Sequence, residues 1–238
     1  MAAVKVLCWN IRAGGGKRVP RIVEELAAHD ADVIALTAFR DAPGRELRRE
    51  LSARGWDFVE TTNPEGNGNG IAVFSRTPVE VTRRRDRWLE VLLPECGFGL
   101  GVLQVMAASG AKHASGIAKK RFWDEILDAA EERLQEPALL MGHWNTGAHG
   151  VDEKGKTFIC AEQFERLSTI GWTDLWRRSN PGATEWTWRS RLNGFRVDHA
   201  FASPALLPRV ESCRYSHAER EAGVSDHSIT VVELAATC

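Results

Sequence analysis

The stretch Gly142-His143-Trp144-Asn145-Thr146-Gly147 follows directly on the apolar run Ala138–Met141, which Pro137 precedes. A short apolar run bounded by breaks reads as a buried strand. Polar residues gathered where such a strand ends stand at the rim of a rigid scaffold, where catalytic groups collect. Side chains two apart on a strand share a face, so His143 and Asn145 are expected to point into one site. Three other segments repeat the pattern: Trp9-Asn10-Ile11, Phe195-Arg196-Val197-Asp198-His199-Ala200-Phe201 and Ser225-Asp226-His227-Ser228.

Outward from these segments, apolar runs and turn signals predict further strands at Val4–Trp9, Asp32–Thr37, Gly55–Val59, Ile71–Ser75, Val79–Thr82, Trp88–Leu93 and Leu100–Met106. Glu185–Trp188, Arg196–Ala202, Val210–Tyr215 and Ile229–Leu234 complete the set. Helical spacing places Val19, Ile22, Val23 and Leu26 on one face of a helix over Arg18–Ala28, and Ile126, Leu127 and Ala130 on one over Ile117–Leu134. A helix opened by Pro43 carries Leu47 and Leu51, another runs about Cys160–Ser168, and Glu65–Gly70 is a turn-rich loop. No linker or repeat interrupts the pattern, so one α/β sandwich domain over residues 1–238 is expected.

Composition bounds the function. The apolar fraction is 43% and the charged fraction 26%, ordinary for a globular protein. No run approaches the roughly 18 apolar residues of a membrane span, and Met1–Lys5 has no leader pattern, so a cytoplasmic monomer is the expectation. With 31 basic and 32 acidic residues the net charge is −1, which argues against a bulk electrostatic duplex binder. Arg83-Arg84-Arg85 with Arg87 is either a phosphate patch or a solvated face. The five cysteines include no CxxC pair, which fits free thiols better than a disulfide framework or a structural zinc site.

With Asp32-Val33-Ile34-Ala35-Leu36 added, the rim segments occur in an order and spacing that resembles the endonuclease/exonuclease/phosphatase superfamily, whose members include DNase I-like nucleases and lipid or sugar phosphatases. The resemblance implies a four-layer, two-sheet α/β sandwich and hydrolysis of phosphoric esters with Mg²⁺ or Mn²⁺, on nucleic-acid or other phosphate-ester substrates. It implies Asn10 and Asp226 on the metal side and Asn145 positioning the phosphate or water. His227 is then the catalytic histidine, and Asp198 the carboxylate that orients it.

Three positions depart from the family pattern. Ala38 stands where the family has the Glu of Leu-x-Glu, His143 where it has the Asp of Gly-Asp-x-Asn, and Met106 where it commonly has Tyr or His. Hard cations select by carboxylate count, so weak Mg²⁺ binding is expected, and His143 suits Zn²⁺ or another late transition metal better. The altered site leaves a second reading, an engineered or repurposed scaffold with a metal-free pocket. Cys8, two residues before Asn10, could then pair with His143 as a nucleophile for ester hydrolysis. A third reading is a small-molecule binder walled by Trp9, Trp144, Trp186 and Trp188.

Overall fold

The computed structural model describes residues 3–63, 65 and 67–236. Met1 and Ala2 of the expected leaderless start, Gly66 of the turn-rich loop and Cys238 lie outside the described residues.

Chain order begins β1 (Val4–Asn10), α1 (Val19–His29), β2 (Val33–Phe39), α2 (Asp41–Ser52), β3 (Phe58–Thr61), β4 (Gly70–Ser75), β5 (Glu80–Arg85), β6 (Trp88–Leu93), β7 (Phe98–Gln104) and α3 (Ala114–Glu132). It continues with β8 (Ala138–His143), α4 (Ala161–Thr169), β9 (Thr173–Asp174), α5 (Leu175–Ser179), β10 (Trp188–Arg189), β11 (Gly194–Phe195), β12 (Asp198–Ala202), β13 (Val210–Ser216), α6 (Ala218–Glu221) and β14 (Ile229–Leu234). Two six-stranded sheets result, ordered β13-β14-β1-β2-β4-β3 and β5-β6-β7-β8-β12-β9, with β10-β11 as a separate ribbon.

Alternation along β1 shows why the layers form. Val4, Val6 and Cys8 enter the core between the sheets, where they meet Leu139, Met141 and Val232. Leu7 and Trp9 face the other way, onto the apolar stripe Val19, Ile22, Val23 and Leu26 of α1. The second sheet does the same with α3 and α4, whose Trp123, Ile126 and Phe164 pack with Trp144 and Phe201. The expected four-layer sandwich is the fold observed.

Each sheet holds one parallel pair, β1 with β2 and β7 with β8, each joined through a helix on the outer face. The carboxyl ends of these four strands carry Asn10, Ala38, Gln104 and His143, and they line one cleft. Open α/β sheets place ligands outside such strand ends. Gly142 makes the approach of β8 to β7 possible: its φ is +147°, and a Cβ there would stand 2.0 Å from the Leu103 carbonyl oxygen.

Several expected boundaries move. β7 ends at Gln104, so Met106 lies beyond the strand, and α3 begins at Ala114. The expected strand Glu185–Trp188 reduces to the ribbon Trp188–Arg189, because the Thr187 hydroxyl is turned to accept the Val197 and Asp198 amides at 3.0 and 3.1 Å. The strand expected over Arg196–Ala202 begins at Asp198, and Arg196 sits wholly buried between Asp152 and Asp174, with N–O distances of 2.6 Å to each. Of the arginine cluster, Arg83, Arg84 and Arg85 are committed to Glu90, Glu60 and Glu125; Arg87 turns toward the cleft.

Candidate active site

The rim cleft consists of two adjoining cavities of about 470 and 330 Å³ that share His143, Asn145 and His227. Asn10, Ala38, Met106 and Asp226 line the larger one. The structure thus brings together every expected site residue except Cys8, with Asp198 lying behind the two imidazoles.

Asp198 is the hinge of the arrangement. It is the antiparallel cross-strand partner of His143, and the loop before β14 brings His227 to its other side. His143 Nδ1 lies 3.1 Å from Asp198 Oδ1, and His227 Nδ1 lies 2.7 Å from Oδ2. One carboxylate therefore accepts from two imidazoles, and both Nε2 atoms are left without a protein partner among the described residues. The rings meet edge to face with centroids 4.9 Å apart.

The two rings differ electrically. Burial disfavours charge on His143, and this outweighs the pull of Asp198; the nearby His227 and Lys119 push the same way, so its pKa falls below the ordinary value. Burial also opposes charge on His227, but the Asp198 carboxylate, its hydrogen bond and the Asp226 charge prevail, so its imidazolium persists to higher pH than usual. Asp198 is buried, yet the two imidazoles hold its carboxyl well below the usual range. The expected Asp198–His227 pair is present, and His143 joins it. His143 and Asn145 reach the same cleft, but not as neighbours on a strand: β8 ends at His143, Trp144 turns into the outer core, and Asn145 adopts φ +53°.

Fixed contacts hold the other rim segments. The Trp9 indole donates to the His227 carbonyl at 3.0 Å, and the Ser225 hydroxyl donates to the Asn10 carbonyl at 2.6 Å. Ala38 interrupts the register of β2 against β4 and sits at φ +54°, a strained conformation for a residue with a Cβ. Its N–H donates to Gln104 Oε1 at 2.9 Å.

These residues do not suit Mg²⁺. A hard divalent ion in such a site needs several oxygen donors, carboxylates above all. Ala38 offers no side-chain oxygen. Asn10 Oδ1 already accepts the Arg12 N–H at 3.0 Å, and Asp226 Oδ2 accepts the Trp188 indole N–H at 3.2 Å. Asp226 is the one carboxylate lining the larger cavity among the described residues, and its Oδ1 is buried and without a partner.

Cys8 is buried in the inter-sheet core and lines neither cavity. Burial, reinforced by the Asp198 charge, pushes its thiol far up, which opposes the thiolate that the second reading requires. Of the four tryptophans, Trp9 and Trp144 are spent on the outer cores, and Trp188 alone lines the cleft. Phe158 and Phe195, which the sequence reading missed, join it, with Trp188 and Phe195 stacked 5.8 Å apart.

Residues 7–227 match the model of the Endonuclease/Exonuclease/phosphatase family. The chain belongs to this family. Among solved structures it is similar to a 3′ phosphatase, NExo, from Neisseria bound to a product DNA hairpin, with a TM-score of 0.85, 20% identity, and 98% of this chain and 99% of that one covered. An AP endonuclease from Archaeoglobus fulgidus matches with a TM-score of 0.85 and 17% identity over 97% of this chain and 99% of that one. A 3′-5′ exonuclease (NExo) from Neisseria meningitidis matches with a TM-score of 0.83 and 19% identity over 98% of this chain and 100% of that one. At these identities the structures speak for the fold, and the family for phosphoric ester hydrolysis. No helix among the described residues is long and apolar enough to cross a membrane.

Proposed function

We propose that this member of the endonuclease/exonuclease/phosphatase family hydrolyses phosphoric esters of a nucleic-acid strand at the His143–Asp198–His227 rim, with two imidazoles in place of a carboxylate-bound Mg²⁺. The observation that carries the reading is the shared carboxylate. Each imidazole gives its Nδ1–H to Asp198 and turns Nε2 toward the cleft. A single carboxylate balances one imidazolium, so a proton held by one ring leaves the other neutral, which is the requirement for an acid and a base in one site.

His227, with the shorter contact to Asp198, is the proton donor, and His143 the acceptor. Water attacking phosphorus gives its proton to His143 Nε2 as the new P–O bond forms. The bond to the leaving oxygen breaks, and that oxygen takes the proton from His227 Nε2. General acid–base groups of this kind contribute about 10²–10⁴-fold each.

A nucleic-acid strand is favoured over a small phosphate by the walls. Arg12 and Arg87 line the larger cavity and have no acidic partner among the described residues. Trp188, Phe195 and Phe158 offer ring faces on which a base or sugar can lie. The Neisseria phosphatase with its DNA hairpin has the same fold.

The test is a panel of phosphate esters assayed with the wild type, His143→Ala and His227→Ala: bis-p-nitrophenyl phosphate, plain oligonucleotides and 3′-phosphorylated oligonucleotides. Hydrolysis of an oligonucleotide that falls by about 10²-fold or more in both variants is expected. Absence of turnover on every ester, or turnover indifferent to both substitutions, would remove the reading.

A further inference from the structure

Lys119 occupies an unusual place on α3. It stands four residues before Trp123 and seven before Ile126, on the helix's buried stripe, and only 2% of it is exposed. A buried ammonium normally faces a carboxylate, because an unpaired charge away from water is costly. Here its one partner among the described residues is a backbone carbonyl, that of Asn145, which accepts from Nζ at 2.7 Å. An ammonium has three N–H donors, so two remain uncommitted. Lys119 lines the smaller cavity together with His143, Asn145 and His227.

We propose that Lys119 is the phosphate-binding cation of the cleft, an ammonium pre-positioned by the Asn145 carbonyl to pair with a non-bridging oxygen of the ester's phosphate. This deepens, and rests on, the assignment of ester hydrolysis to the same rim. A phosphoryl group about to be attacked needs fixed positive charge near its equatorial oxygens. Family members supply it with a divalent ion, and the oxygen donors present here do not suit one. Lys119 is a cation already largely buried and held in the cavity that both imidazoles line, so it needs little reorganisation when the anion arrives. Its surroundings agree with a site prepared for an anion: burial pushes the ammonium down to about 8, against the pull of Cys160, and no carboxylate pairs with it among the described residues.

The experiment measures inorganic phosphate binding at pH 7 by calorimetry, alongside thermal melting, in the wild type, Lys119→Met, Lys119→Arg and His227→Ala. Methionine keeps the length and removes the charge. Lys119→Met is expected to weaken phosphate binding about 10- to 100-fold, the range of a lost charged hydrogen bond. Lys119→Arg should retain most of the affinity. Lys119→Met should also melt at a higher temperature, since an apolar side chain suits that stripe better than an unpaired charge. Unchanged phosphate binding in Lys119→Met, or a lower melting temperature with Lys119→Arg equally impaired, would make the residue a brace for the Asn145 loop and overturn the proposal. Phosphate binding is read without turnover. Dependence on Lys119 in a protein that hydrolyses no ester would sink the hydrolase reading alone; hydrolysis that needs His227 with phosphate binding indifferent to Lys119 would sink this one alone.

Discussion

Replacing Asp198 by Asn tests the histidine pair at its joint. The substitution keeps the shape but removes the charge and one of the two acceptors. The new amide can accept from one imidazole Nδ1–H; its N–H₂ faces the other, which must move its proton to Nε2. Charges about 4 Å apart interact by about 4 kcal/mol at an effective dielectric near 20, an upper bound equivalent to about 3 pH units. With His227 Nδ1 2.7 Å from the carboxylate, its pKa should fall in the variant by about 1–3 pH units. A wrong tautomer in a comparable catalytic histidine costs about 10⁴ in rate, so a loss of about 10³–10⁴ in kcat is expected with little change in KM. Stability responds in a defined direction. The folded Asp198 pKa lies below its unfolded value, so the wild-type stabilisation is present above about pH 4 and is lost as pH falls toward the folded value. The variant should lack that acid-side decline. NMR titration of the imidazole protons of His143 and His227 in both proteins reads the pKa change directly. Superimposable titration curves would refute the pairing.

Three further outcomes follow from other residues. The double change Ala38→Glu with His143→Asp places two carboxylates beside Asn10 and Asp226 and should raise Mg²⁺ affinity at least about tenfold by calorimetry. Arg196→Ala leaves the buried Asp152 and Asp174 without their shared cation and should destabilise the fold by about 3–5 kcal/mol in urea unfolding. Cys8→Ala, a small cut in the inter-sheet core, should leave hydrolysis within about twofold while lowering stability by about 1 kcal/mol.

The α/β class was legible because its information is local: the apolar run of β1 and the helical stripe of α1 mark a buried strand and a helix without reference to the rest of the chain, and the order of the rim motifs supplied the four-layer sandwich by resemblance. The Asp198–His227 pair was legible through motif resemblance. The place of His143 in it was not, since it depends on the antiparallel register of β8 against β12, two strands 55 residues apart at the contact. Lys119 did carry a signal, a lysine at the apolar spacing of Trp123 and Ile126, which a stripe scored only for its hydrophobic members passes over. Phe158 carried none, because the loop before α4 reaches the cleft through tertiary packing alone; Phe195 stood in a rim segment, but nothing local marked its ring as a cleft wall. The arginine run left a phosphate patch and a solvated face both open, and three of its side chains take the second, paired with glutamates on neighbouring elements.

The most direct measurement is oligonucleotide hydrolysis by metal-stripped protein in excess chelator, compared with the same protein across a Mg²⁺ titration. With His143 and His227 on one carboxylate as the acid–base pair, hydrolysis should persist in chelator, change little when Mg²⁺ is added, and fall by about 10²-fold or more in His227→Ala. Activity that appears only with Mg²⁺, saturating at micromolar concentration, would contradict the account and return the chemistry to a metal ion held at Asp226 and Asn10.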